Sequence, residues 1–261
     1  MRIAFIGAGN AAWNLAIALS KAGNEIVLIV NRSPEKAERL AKEVDSKYST
    51  SLVDLSNVVA DLIIVSTRDD GYSQVASELK TKIPVVHTSG SIPMNVLLEC
   101  SFQIGVFYPL QSMLQSRETN FLEVPFCLEA NNQTLLATLN TLAKSISNVV
   151  LEINSEQRKQ LHLGAIFASN FSNFLYILSK DYLRKNNLPE HILDPLITET
   201  ANRIIGKEPA DFQTGPARRG DFSVLQTHLK MLEGNPLMQD VYKMLSEKIL
   251  EYYGHSVNGI S

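Results

Sequence analysis

The chain has 261 residues, 45% hydrophobic and 20% charged, the make-up of a globular protein long enough to bury two cores. Its 24 Lys and Arg against 27 Asp and Glu leave a net charge of −3 with no basic block, which argues against nucleic acid as a main partner. No uninterrupted apolar run reaches membrane-spanning length, so no membrane partner is expected. The apolar start is broken by Gly7, Gly9, Asn10 and Asn14, unlike a signal peptide. Cys100 and Cys127 have neither metal nor redox spacing, so free thiols, no metal site and a cytoplasmic location are expected.

Residues 2–7 read as a strand that breaks into Gly7-Ala8-Gly9-Asn10-Ala11-Ala12 and then a helix carrying Trp13, Leu15, Ala16 and Leu19. Gly7 permits the tight turn, Gly9 lets backbone approach a pyrophosphate, and Ala12 stands where helix packs on strand. The helix start offers unpaired N–H groups to phosphate. A second strand, residues 25–30, arrives on time and is followed by Asn31-Arg32-Ser33. The carboxylate that would bind a ribose 2′-OH is missing there. Asn31 removes its repulsion, Arg32 offers a cation and Ser33 a hydroxyl, which favours NADP(H) over NAD(H). Ser33 also suits a helix cap before Pro34; the two roles are compatible.

Further strands are expected at 62–67, 84–88, 104–107, 125–129 and 148–152, alternating with helical segments. Near-continuous apolar runs such as Leu62-Ile63-Ile64-Val65 suit a parallel sheet buried on both faces. The expected fold is α/β, with a doubly wound, mostly parallel sheet over residues 1–153. Ligands bind beyond the carboxyl ends of such strands. Three segments sit there: Ser66-Thr67-Arg68-Asp69-Asp70, His87-Thr88-Ser89-Gly90 and Tyr108-Pro109-Leu110-Gln111-Ser112. Ser66, Thr67, His87 and Ser89 are expected beside the cofactor; a capped helix start equally explains the first segment. A protonated His87 would donate to a carbonyl or imine as hydride arrives; its alternative is a loop hydrogen bond.

From residue 154 to 261 only helices are expected. Residues 155–185 form one helix of about 45 Å at 1.5 Å per residue, with aromatic side chains on more than one face, suited to a central position or a second subunit. His162, Ser169 and Asn173 share one face, with Asn170 beside them. That polar stripe calls for substrate or another helix. A helix from about Pro189 with a bend at Pro195, a helix capped by Asp221 and ending at Gly234, and a last helix from Pro236 to Gly254 follow. The loop Gly215-Pro216-Ala217-Arg218-Arg219-Gly220-Asp221 suits an anion, Arg219 ahead of Arg218, or an Arg–Asp pair that shapes the loop. His228 reads as a structural or surface residue.

Together, Gly7 to Ala12, Val86-His87-Thr88-Ser89-Gly90, Tyr108-Pro109-Leu110-Gln111, His162 with Phe167-Ala168-Ser169-Asn170, and Gly215-Pro216 with Arg219-Gly220-Asp221 and Thr227-His228-Leu229 resemble a known family. These are NADP oxidoreductases joining a Rossmann-like domain to a C-terminal helical domain of unknown function. The family is similar to pyrroline-5-carboxylate reductase, ketopantoate reductase and the 6-phosphogluconate dehydrogenase superfamily. That resemblance implies an all-α, dimerising second domain of the 6-phosphogluconate dehydrogenase type. Many relatives carry a catalytic Lys-x-x-x-Asn on the first helix of that domain. Here Ile166 stands four residues before Asn170 and Ser169 four before Asn173, so their acid–base assignment does not transfer. His162 is the nearest titratable substitute by position.

Two functions compete. One is an NADP(H)-dependent reductase of a carbonyl or imine in a small anionic substrate. His87 or His162 would manage the proton, Asn170 orient the reacting atom and Arg219 hold a carboxylate. The other is a non-catalytic NADP(H)-binding sensor or partner protein, favoured by the missing lysine. Hydride exchange with a deazaflavin is a third idea.

Overall fold

A computed structural model describes residues 1–259. The chain divides into two compact units, Met1–Phe171 and Ser172–Ser261. The first is built on an eight-stranded sheet of order β3-β2-β1-β4-β5-β6-β7-β8. Its strands are β1 (Arg2–Ile6), β2 (Glu25–Val30), β3 (Lys47–Ser49), β4 (Leu62–Val65), β5 (Val85–His87), β6 (Ile104–Pro109), β7 (Phe126–Ala130) and β8 (Val150–Glu152). All neighbours are parallel except β6 and β7. The fold is thus the Rossmann-like, mostly parallel sheet expected, with only helices after β8. β3 was not anticipated: Lys47-Tyr48-Ser49 is a short polar edge strand without an apolar pattern.

Both faces of the sheet are covered. Ile3 and Phe5 of β1 point to one core, which α1 (Asn10–Lys21), α2 (Pro34–Glu43) and α4 (Gln133–Lys144) complete through Leu15, Leu40 and Leu139. Ala4 and Ile6 point to the other, where α3 (Tyr72–Glu78) contributes Tyr72 and Val75. This period-two alternation of apolar residues explains the continuous apolar runs.

The chain reverses direction across the sheet between β1 and β4. At that switch point Gly7 adopts φ +112°, and a Cβ placed on it would lie 2.2 Å from the Ser66 carbonyl oxygen. No other residue type fits there without moving β4.

A helical run follows β8 from Ser155 to Lys185. Its first part, α5 (Ser155–Ala165), starts in a capping box made by Asn154 and Gln157. Ile166–Phe171 is a π-helical turn, and α6 (Ser172–Lys185) lies in the second unit. The π-turn changes the phase of the helix, so the face shared by His162 and the residues beyond it is not that of a regular α-helix. The run also corrects the expectation that no segment is long and apolar enough for a membrane: it meets that test by length and composition, with mean hydropathy 1.3. Residues 160–179 hold no Asp, Glu, Lys or Arg, and the small and polar residues among them hide the run from a search for unbroken apolarity.

One buried charge ties α5 to the sheet. Arg158 is fully buried. Its Nη1 donates to Glu129 of β7 at 2.5 Å, and Nη2 to the Ile92 carbonyl at 2.6 Å and Ser155 Oγ at 3.2 Å. Beside it, Leu161 packs on the cluster of Val106, Tyr108 and Cys127.

The second unit contains α7 (Asp194–Ile204), the single turn α8 (Pro216–Arg219), α9 (Phe222–Met231) and α10 (Pro236–Tyr252). The bend expected at Pro195 is instead a helix start, with Pro195 in the first turn. Asp221 caps α9 through the Val224 N–H, and Gly234 and Gly254 take positive φ beyond the ends of α9 and α10. Ala217, Leu225, Leu229 and Leu250 form its core. Neither α6 nor α7 buries a side chain.

Replacing Arg158 with Met leaves the Glu129 carboxylate without its cation. Urea unfolding is expected to show a loss of about 3 kcal/mol or more, and adding Glu129→Leu to recover much of it. A loss below about 1 kcal/mol would contradict this anchoring role.

Candidate functional site

The glycine turn presents a free helix start. Gly9 occupies the N-cap of α1 without a side-chain cap, and no acidic residue stands in the first turn. Ala8 is buried; Asn10 and Ala11 lie in that first turn. The unpaired N–H groups and positive helix end fit a pyrophosphate. Residues 112–119 strap this turn down, a feature sequence reasoning missed. Gln115 Nε2 donates to the Ala8 carbonyl at 3.1 Å, and Asn14 bonds both the Leu114 carbonyl and the Thr119 N–H. Arg39 lies over the Trp13 ring at 4.6 Å and bonds Gln115.

At the end of β2, Asn31 Nδ2 donates to the Ser33 carbonyl at 3.0 Å, and Arg32 is exposed without an ion pair among the described residues. Ser33 caps α2 and also donates to Glu35 at 2.7 Å, which holds that carboxyl below its ordinary range. Arg32, Ser33 and the start of α2 fit a 2′-phosphate once the exposed Glu35 turns aside.

The loops leaving β4, β5 and β6 join into one surface. Thr88 Oγ1 donates to Ser66 Oγ at 3.0 Å, and the Thr67 hydroxyl bonds the Arg68 carbonyl. Asp69 accepts from Ser89 Oγ at 3.0 Å and Ser91 Oγ at 2.5 Å. Gly90 then abuts helix α5. A Cβ there would lie 2.6 Å from His162 Nδ1 and 2.8 Å from Tyr108 Cζ. Tyr108 Oη and His162 Nδ1 are 3.1 Å apart. One π-turn further on, Ser169 Oγ meets Ser112 Oγ at 3.2 Å. His162 and Ser169 of the polar stripe therefore face the exit of β6. Asn170 is exposed on the π-turn.

His87 is fully buried at the end of β5, edge-on to Tyr72. Its Nδ1 accepts the Ser89 N–H at 3.2 Å, so the neutral ring carries its hydrogen on Nε2, which makes no well-formed hydrogen bond among the described residues. Burial, aided by the Arg158 charge, pushes its pKa down to about 3, against weaker opposite pulls from the Pro93 carbonyl and Asp69. The expectation of a protonated His87 is therefore corrected: at neutral pH this imidazole holds no acid proton to give.

In the second unit Arg219 is exposed and makes no ion pair among the described residues. Arg218 instead stacks on Tyr253 at 3.9 Å, and its carbonyl accepts from His255 at 3.1 Å. His228 Nδ1 lies 2.7 Å from the Tyr242 hydroxyl, the structural role expected of it.

With this geometry in view, comparison with known proteins is specific. Residues 2–88 match the family described as NADP oxidoreductase, coenzyme F420-dependent, and residues 124–249 match a domain family of unknown function, DUF2520. The crystal structure of BF3122 from Bacteroides fragilis, assigned as an NADP oxidoreductase, is 43% identical, with a TM-score of 0.90 over 96% of this chain and 98% of that one. The chain belongs to this NADP oxidoreductase family. Its fold is also that of 1-pyrroline-5-carboxylate reductase from Streptococcus pyogenes, 19% identical with a TM-score of 0.67 over 96% and 98% of the two chains. The Plasmodium falciparum pyrroline carboxylate reductase with NADP bound is 17% identical, with a TM-score of 0.62 over 97% and 98%. The cofactor of this oxidoreductase family is NADP, and the residues of the glycine turn and the β2 exit suit it.

Sequence reasoning missed Tyr108 as a partner of His162, and missed Arg158 as a buried charge. The signal for the second was present: Arg158 precedes His162 by one helical turn, on the same face.

The neutral burial of His87 makes a prediction about acid stability. An unfolded histidine titrates near its ordinary value of about 6.5. Between there and about 3 the unfolded chain binds the extra proton, so this residue stabilises the fold above that window and ceases to as pH falls through it. Urea midpoints measured from pH 7 to 4 should fall more steeply for the native chain than for His87→Gln. The difference should approach about 1.4 kcal/mol per pH unit; parallel curves would refute a buried neutral His87.

Proposed function

We propose that this oxidoreductase transfers hydride from NADPH to the carbonyl or imine carbon of a small, anionic substrate, with His162 supplying the proton. The observation that carries the reading is a continuous chain of contacts within the first unit. It runs from the glycine turn through Ser66 and Thr88, along the chain to Ser89, which bonds Asp69, and Gly90, to the Tyr108–His162 pair. A phosphate cradle and a titratable group therefore stand on one connected surface at the strand ends, where such sheets bind ligands.

Bound NADPH supplies two electrons and a hydrogen as hydride. The protein's part is to hold, orient and protonate. Gly7, Ala8, Gly9, Asn10 and Ala11 hold the pyrophosphate at the start of α1, while Asn31, Arg32 and Ser33 receive the 2′-phosphate. Ser66, Thr67, His87 and Ser89 shape the wall beside the ribose and ring; His87 does so as a neutral, fixed group. As the C=O or C=N bond gains hydride at carbon, the imidazolium form of His162 delivers one proton to the oxygen or nitrogen, giving an alcohol or amine and leaving the neutral ring to be reprotonated from solvent. Asn170 is the group assigned to orient that atom. On the second unit, Arg219 is free to receive a carboxylate.

Two further assignments belong to this reading. A second copy of the chain covers the apolar residues of α6 and α7, where Phe174, Leu175, Ile177 and Leu196 are exposed; sedimentation should show a homodimer. The buried, unpaired Cys100 and Cys127 agree with a reducing cytoplasm.

Stopped-flow NADPH oxidation over a panel of keto acids, cyclic imines and coenzyme F420 tests the activity. At least one anionic carbonyl or imine should be reduced, and His162→Gln should lower kcat on the order of a hundredfold with NADPH binding intact. Arg32→Ala should weaken NADPH on the order of tenfold and leave NADH unchanged. Tight NADPH binding with no oxidation across the panel would favour the non-catalytic sensor instead.

A further inference from the structure

We infer that Tyr108 is a positioning residue for His162, fixing its ring as the Nε2–H tautomer, and that Gly90 is glycine to let the two side chains meet. The catalytic consequence rests on the reductase reading above; the pairing itself does not.

Geometry carries the inference. Tyr108 leaves β6 and His162 rises from α5, and their rings meet edge-to-face with 6.1 Å between centroids. Oη and Nδ1 are at hydrogen-bond distance. No carbonyl or carboxylate competes for the hydroxyl: Tyr108 Oη has no other partner among the described residues. Desolvation pushes its pKa up to about 12, so the hydroxyl keeps its proton, and with Nδ1 as its one partner it donates there whenever the ring is neutral. Nδ1 is then the acceptor, and the neutral ring carries its hydrogen on Nε2. The nitrogen that exchanges protons with a ligand is thereby defined by the bond made at the other one.

The surroundings hold this arrangement. Tyr108 is nearly buried with Cys127 on the neighbouring strand. Three charged groups stand on this side: Arg158, one turn before His162 on α5, and Glu129 of β7, which pair at 2.5 Å, and Asp69, which accepts from Ser89 and Ser91 beside Gly90. Buried His87 on β5 remains neutral, and the Cys127 thiol is pushed up to about 11 by burial. Tyr108 is thus the polar group that bonds the His162 ring directly. Gly90 closes the third side. Its φ is not in the left-handed region, and the three atoms nearest to a methyl group there all belong to His162 and Tyr108.

Nitrogen-15 NMR of the full chain labelled at histidine tests the pairing without any substrate, with His162→Gln identifying the resonances. In its neutral form, native His162 should show the Nε2–H tautomer alone. Tyr108→Phe, which removes one hydroxyl, and Gly90→Ala, which wedges the pair apart, should give the same new signature: a detectable Nδ1–H fraction and a shifted Nδ1 resonance. Native His162 found as the Nδ1–H tautomer would overturn the inference even if neither variant folds. So would unchanged His162 signals in both folded variants. On whichever panel compound is reduced, Tyr108→Phe should lower kcat about five- to tenfold, as expected for losing one hydrogen bond. It should also shift the pH profile while leaving the KM for NADPH unchanged. An unaltered kcat would overturn the catalytic consequence and leave the NADPH reaction standing.

Discussion

The arrangement of the first unit depends on a guanidinium that has no access to water. Arg158 is enclosed where α5 crosses the edge of the sheet, and it is held by a carboxylate from β7, a carbonyl from the loop after β5 and a hydroxyl from its own helix. Removing such an ion from water costs several kcal/mol, which its partners must return. The return comes only in one geometry, because guanidinium donors point in fixed directions. The pair is therefore better understood as a registration device than as a source of stability. It sets the rotation of α5 about its axis, and His162 lies one turn further along the same face. Glu129 could satisfy a cation in many places; Ile92 and Ser155 restrict it to this one.

Two histidines at the same end of the sheet illustrate how environment separates roles. His87 sits on a strand with apolar neighbours on both sides, and its charged form is excluded. His162 sits on a half-exposed helix face with one nitrogen bonded to Tyr108. Sequence position left the proton to either histidine. Burial separates them, as it does wherever a low-dielectric site pushes titratable groups apart.

Much of the architecture was legible in the chain. The alternation of short apolar runs with helical spacing located seven of the strands, and Gly7 announced the switch point through a requirement no other residue meets. The eighth, β3, escaped because three polar residues at a sheet edge carry no burial pattern. The site was less legible for a different reason. Tyr108 and His162 are 54 positions apart, and Arg158 reaches a glutamate 29 positions away. Periodicity reports which face of an element is apolar, not which polar residue of another element meets it. The π-turn is hidden too, since nothing in Ile166-Phe167-Ala168-Ser169-Asn170-Phe171 distinguishes it from α-helix by composition.

The long helical run combines a composition fit for lipid with contacts that argue for protein. Its start is fixed to the sheet by Arg158, and His162 and Ser169 meet Tyr108 and Ser112. A membrane span over this stretch would have to withdraw Leu161 from its core and two polar side chains from their partners into hydrocarbon, where unpaired groups are costly. Further along, Lys180 bonds Asp194 at 2.6 Å and Arg184 bonds both Asp181 and Glu190, so the apolar residues of α6 lie beside ion pairs. The uncharged stretch of residues 160–179 is thus bounded by polar contacts at its start and by ion pairs from Lys180 onward, groups that hydrocarbon would leave unsolvated.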